Sequence, residues 1–144
     1  MNSMKKLQVD YLDLVLLHQP FNDYYAAWRD LEALYKEGKI KAIGVSNFYP
    51  DRLVDLCTFA EIKPMINQVE PHVYFQQEEY HQRMLKEGVQ QECWGPLGEG
   101  RVKEILKDPI LMEIAQAHNK TPAQIALKFN IQRSIVVIPK SAHK

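Results

Sequence analysis

The chain sets a histidine where a buried strand should end. Leu14-Val15-Leu16-Leu17 is an uninterrupted apolar run that stops at His18, and Gln19-Pro20 then break the strand. Strands buried on both faces belong to parallel sheets under helices, and α/β folds place their chemistry at the carboxyl ends of such strands. An imidazole titrates near physiological pH, so a histidine there can give or take a proton. Other strand-like runs also end on polar groups: Ser46-Asn47, Gln68, and Lys140-Ser141. Gly95-Pro96-Leu97-Gly98, with Gly100 beyond it, is a turn-rich loop. Its glycines allow close backbone approach and offer N–H groups to an anion, although an ordinary turn reads the same way. Likewise, Ser46-Asn47 can simply cap a turn, Gln68 can be a satisfied core amide, and Trp94 can be a core ring.

The elements that must position these groups alternate along the chain. Helical spacing of Trp28, Leu31, Leu34 and Tyr35 predicts a helix from Asp23 to a stop at Gly38. The short run Ala42-Ile43-Gly44-Val45 reads as a strand. Pro50 and Asp51 then open a helix that buries Leu53, Val54, Leu56 and Cys57. Met65 to Glu70 is a third strand, Glu78 to Glu87 a helix stopped by Gly88, and Val89 to Trp94 a fourth strand weakened by Gln90, Gln91 and Glu92. One helical period runs from Ile105 to Asn119. Thr121, Pro122 and Gln124 form a capping-box start for another helix, and Ile135 to Ile138 is the fifth strand, ended by Pro139. Strands alternating with helices require parallel pairing and right-handed crossovers. The pattern suits a doubly wound sheet or part of a (β/α)8 barrel. No GxGxxG follows a strand, and polar groups spread over many strand ends favour the barrel.

Composition narrows the function classes. The chain has 144 residues, 46% hydrophobic and 25% charged, which predicts one ordinary globular domain spanning 1–144. A formal net charge of +0 gives no reason to expect nucleic acid or an anionic membrane as partner. Cys57 and Cys93 make neither a disulfide framework nor a metal-ligand spacing, as expected of reduced thiols in a cytoplasmic protein. No apolar stretch approaches the roughly 18 residues of a membrane span, and no signal-type apolar core follows Lys5-Lys6.

LDLVLLHQP, GKIKAIGVSNF, INQVE, ECWGPLGEG and VVIPKS occur here in the order in which aldo/keto reductases carry them. The chain resembles the bacterial 2,5-diketo-gluconate reductase-like branch of that family over essentially its whole length. The resemblance implies an α/β fold: a partial (β/α)8 TIM barrel, with parallel strands corresponding to barrel strands 4–8 and flanking helices. It also implies NADPH-dependent reduction of aldehydes or ketones to alcohols by hydride transfer, with no metal.

By resemblance, His18 orients and polarises the substrate carbonyl. Ser46, Asn47 and Gln68 hold the nicotinamide carboxamide, which wants one donor and one acceptor. Trp94 stacks on the nicotinamide ring, and Gly95, Pro96, Leu97 and Gly98 fold over the pyrophosphate. Lys140 and Ser141 meet the 2′-phosphate of NADPH. Tyr24 and Tyr25, soon after His18, are candidates for substrate contact. The family's catalytic Asp, Tyr and Lys lie on barrel strands that precede this stretch, so the chain alone is expected to be inactive. Its alternatives are a non-catalytic half-barrel remnant or an interaction module with at most weak nucleotide binding. Open sheet edges predict self-association or pairing with a separate N-terminal half.

Overall fold

The computed structural model describes residues 2–140, so Ser141 lies outside the described residues. Five strands make one sheet in the order β1-β2-β3-β4-β5, with helices in every connection. They are β1 (Val15–Leu17), β2 (Ile43–Ser46), β3 (Ile66–Val69), β4 (Gln90–Cys93) and β5 (Val136–Val137). The helices are α1 (Asn2–Leu7), α2 (Tyr24–Lys36), α3 (Pro50–Phe59), α4 (Glu78–Glu87), α5 (Val102–Ile105), α6 (Pro109–Ala117) and α7 (Pro122–Ile131). The parallel, sequential strand order is the expected partial barrel. Among the described residues, no helix is long and apolar enough to cross a membrane.

The chain divides into two compact units. One holds the residues up to Asn67 together with Gln82–Val89, the other Gln68–His81 and the chain from Gln90. In the first unit, β1 and β2 pair in parallel with Val15 opposite Ile43, Leu16 opposite Gly44 and Leu17 opposite Val45. All four β2 residues are buried, whereas β1 is only half-buried, which corrects the expectation of a strand covered on both faces. Its place at the end of the strand order explains this: β1 has one neighbour in the sheet. Gly44 is required by crowding, because a Cβ there would lie 2.6 Å from the Ile66 carbonyl oxygen and 2.8 Å from Leu16 Cδ2.

Helix α2 starts where Asp23 accepts the Ala26 N–H and ends near Gly38 at φ +71°. It buries Tyr24, Trp28 and Glu32, a stripe at i, i+4 and i+8. Trp28 donates its indole N–H to the Ile62 carbonyl (3.0 Å), and Glu32 accepts the N–H of the same residue (2.8 Å). One residue of the α3–β3 connection therefore has both backbone polar groups held by one helix face. Helix α3 begins with Pro50 at its first turn and buries Leu53, Leu56 and Cys57, while Val54 is half-buried.

In the second unit, β4 and β5 pair in parallel with Glu92 opposite Val136 and Cys93 opposite Val137. The polar residues that weaken β4 as a sequence pattern are built in. Gln91 is buried with its side-chain oxygen 2.7 Å from His81 Nδ1, and buried Glu92 accepts from Gln68. The single helical period from Ile105 to Asn119 is in fact two helices. Asp108 accepts the N–H groups of Ile110 and Leu111, and Pro109 starts α6 afresh. Ile105, Leu111 and Ala126 form a core with Val73, Leu97 and Ile125 packed on it.

The α7 capping box is closed both ways: Thr121 Oγ1 accepts the Gln124 N–H, and Gln124 Oε1 accepts the Thr121 N–H. Thr121→Ala removes one of these bonds and is expected to cost about 1 kcal/mol. Urea denaturation should show a lower midpoint at unchanged slope.

Candidate functional site

One residue beyond the Leu17–Val45 pair, the first unit reaches His18 on one strand and Ser46 on the other. Parallel register thus sets both at the carboxyl ends of their strands. His18 is exposed and Ser46 buried. Asn47 follows at φ +58°, a left-handed conformation that asparagine tolerates, and donates its amide to Ser46 Oγ (3.1 Å). The next carbonyl, Phe48, accepts from Asn67 Nδ2 at 2.7 Å. Asn67 is fully buried on β3 and fixes the turn that carries Ser46 and Asn47. Sequence reasoning passed over Asn67. Its signal was an amide in a strand, directly before one already singled out.

Tyr24 and Tyr25 stand at the start of α2 with their hydroxyls committed elsewhere. Both donate to Asp55 Oδ2 on α3, Tyr24 at 2.9 Å. These bonds hold the Asp55 carboxyl below its ordinary pKa, with the Tyr25 bond the larger cause, and push the Tyr25 phenol up.

In the second unit, Gln68 Nε2 donates to Glu92 Oε1 at 2.5 Å, which orients its amide. Trp94 is half-buried, and its N–H bonds to the Val69 carbonyl (3.0 Å) as β4 ends. The Gly95–Gly98 turn is closed by the Gly98 N–H on the Gly95 carbonyl (2.8 Å), with positive φ at both glycines. A Cβ on Gly98 would lie 2.7 Å from Ile105 Cδ1, so the loop's close fit to α5 needs glycine. Gly95, Pro96, Leu97 and Gly98 share with Lys140 the lining of one cavity of about 180 Å³. The structure brings these five residues together, with Glu99, Val102, Ile138 and Pro139 completing the wall. Backbone amides of a turn and an exposed ammonium are donors suited to phosphate oxygens.

Beneath this loop lies a pair that the sequence analysis did not single out. Glu70 Oε1 accepts the Glu99 N–H (3.3 Å), and His72 Nε2 stands 3.6 Å from the same oxygen. His72 is buried, and burial lowers its pKa against the opposing pull of Glu70. Both thiols are inert by environment: burial raises Cys57 to about 11 and Cys93 to about 12. Among the described residues, no group of histidine, cysteine and carboxylate side chains is arranged to hold a metal.

Comparison with known proteins agrees with this architecture. The model of the aldo/keto reductase family matches residues 1–143. An uncharacterized oxidoreductase of Bacillus subtilis, YtbE, is 53% identical over 96% of this chain and 49% of its own length. Glyoxal reductase of the same organism is 49% identical over 96% of this chain and 50% of its own length. The crystal structure of an aldo-keto reductase, AKR2E5, complexed with NADPH superposes with a TM-score of 0.92 at 30% identity, over 99% of this chain and 49% of that one. The chain spans about half the length of the curated relatives it matches. With a parallel sheet of this order, polar residues at its carboxyl ends and a family match over nearly every residue, the chain belongs to the aldo/keto reductase family.

Proposed function

We propose that this chain is the cofactor-binding portion of an NADPH-dependent carbonyl reductase, forming a single domain of that enzyme. The observation that carries the reading is the cavity shared by the Gly95–Gly98 turn and Lys140. Its donors and size fit part of a dinucleotide: turn amides for the pyrophosphate, and the Lys140 ammonium, followed in sequence by Ser141, for the 2′-phosphate. In the same unit, Gln68 binds the nicotinamide carboxamide with an amide already oriented by Glu92, and Trp94 offers a ring face. In the other unit, Ser46 and Asn47 offer a hydroxyl and an amide suited to a carboxamide, and His18 offers a hydrogen bond suited to orienting a carbonyl. When bound, NADPH supplies a hydride to the carbonyl carbon, and the oxygen gains a proton to give the alcohol. The substrate class is a small aldehyde or ketone. Glyoxal reductase among the relatives supports this choice. The setting is cytoplasmic, with neither nucleic acid nor membrane as partner.

Turnover needs the family's Asp, Tyr and Lys, so the 144-residue chain alone binds nucleotide without reducing carbonyls. A second reading, a half-barrel that pairs with itself or with an N-terminal half, is favoured by the exposure of Val136 (45%) and Ile138 (46%) at the β5 end of the sheet. Titration of the chain with NADPH, followed by tryptophan quenching, tests the main reading. Saturable binding is expected, weakened about 10-fold by Lys140→Ala for NADPH but not for NADH. No saturable binding, or equal loss for both nucleotides, would sink it.

A further inference from the structure

We propose that Glu70 is the latch of the Gly95–Glu99 loop and, through that loop, sets how fast a bound nucleotide is released. The release half of the proposal rests on the cofactor reading above. The latch itself rests on geometry within one unit. Glu70 leaves the carboxyl end of β3, and its carboxylate takes the Glu99 N–H at the far end of the loop. At the near end, the same oxygen lies 3.7 Å from where a Cβ on Gly95 would sit. One carboxylate oxygen therefore bonds the far end of the loop and lies near its start.

Glu70 is itself anchored by its backbone. Its carbonyl accepts from Gln77 Nε2 (2.9 Å), which fixes the residue after the strand ends. His72 backs the side chain. His72 Nδ1 accepts the Tyr74 N–H (3.2 Å), so the neutral ring carries its proton on Nε2, the nitrogen turned toward Glu70. The ring also lies close under the loop, because a Cβ on Gly98 would come within 3.7 Å of His72 Cε1. Glu70 is thus a positioning residue. It does not serve the anion: a carboxylate repels phosphate, and its oxygen accepts the N–H of Glu99, which itself lines the cavity. Its contribution is to keep that turn closed, so that opening the cavity requires the Glu70–Glu99 bond to break.

The test compares the wild type with Glu70→Ala and Glu70→Gln by amide hydrogen exchange and by NADPH release in a stopped-flow chase. In Glu70→Ala the Glu99 amide should exchange about 10-fold faster, and Glu70→Gln, whose oxygen still accepts, should fall between. The Trp94 amide, bonded to the Val69 carbonyl, should keep its wild-type exchange. NADPH should leave Glu70→Ala about 10-fold faster with its association rate unchanged. Glu99 exchange equal to wild type in both variants overturns the latch. So does acceleration of Glu99 and Trp94 together, which marks general loosening. If Glu70→Ala does not fold, the Glu70→Gln comparison decides alone. Faster Glu99 exchange with unchanged NADPH release overturns the release half. A wild type that binds no NADPH overturns the cofactor reading and the release half with it, while the exchange result still decides the latch.

Discussion

Trp28→Ala is expected to remove about 3–5 kcal/mol of stability, a large part of what a domain of this size possesses. Trp28 is 1% exposed, so truncation leaves a buried cavity that its surroundings cannot fill without moving. Packing is only part of the loss. The indole N–H is the partner of the Ile62 carbonyl, and Glu32 holds the N–H of the same residue. Trp28→Phe keeps most of the apolar volume and deletes the donor, so it should cost about 1–3 kcal/mol. Chemical denaturation of both variants separates the two contributions. Equal losses would mean that the hydrogen bond dominates, and a negligible loss in either variant contradicts the role assigned to this side chain.

Gly44→Ala should be nearly as damaging, at about 3 kcal/mol, although it adds a single methyl. The added carbon would meet the Ile66 backbone oxygen at 2.6 Å and Leu16 Cδ2 at 2.8 Å. A side chain such as Leu16 can turn aside, but a backbone oxygen in the neighbouring strand moves only with that strand. β2 lies between β1 and β3, so the adjustment spreads to both. Thermal unfolding by circular dichroism should show a clear drop in Tm. An unchanged Tm would mean that the strands are spaced more widely at this point than the structure has them.

What the sequence revealed follows from the range of each interaction. The α7 start was legible because Thr121, Pro122 and Gln124 act on one another within a single turn. Asp108-Pro109 carries the same kind of signal, yet the helical period running through it from Ile105 hid the break. Glu32 was illegible as a buried residue, since a carboxylate on a helix reads as solvated until a backbone N–H thirty residues away is brought to it. The same holds for the candidate site. Ser46 and Asn47 are neighbours in sequence and bond to each other. The partner of Gln68 is 24 residues distant and that of Glu70 is 29, and no local pattern announces either.

The β1–β2 register has a genetic side. Side chains on a strand alternate between its faces, so a single added or lost codon between Leu14 and Leu17 would send His18 to the opposite face while leaving its identity untouched. An extra codon in the loop after Pro20 would carry no such penalty. Length variation tolerated on one side of this histidine and purged on the other is the mark that such a register leaves on a gene.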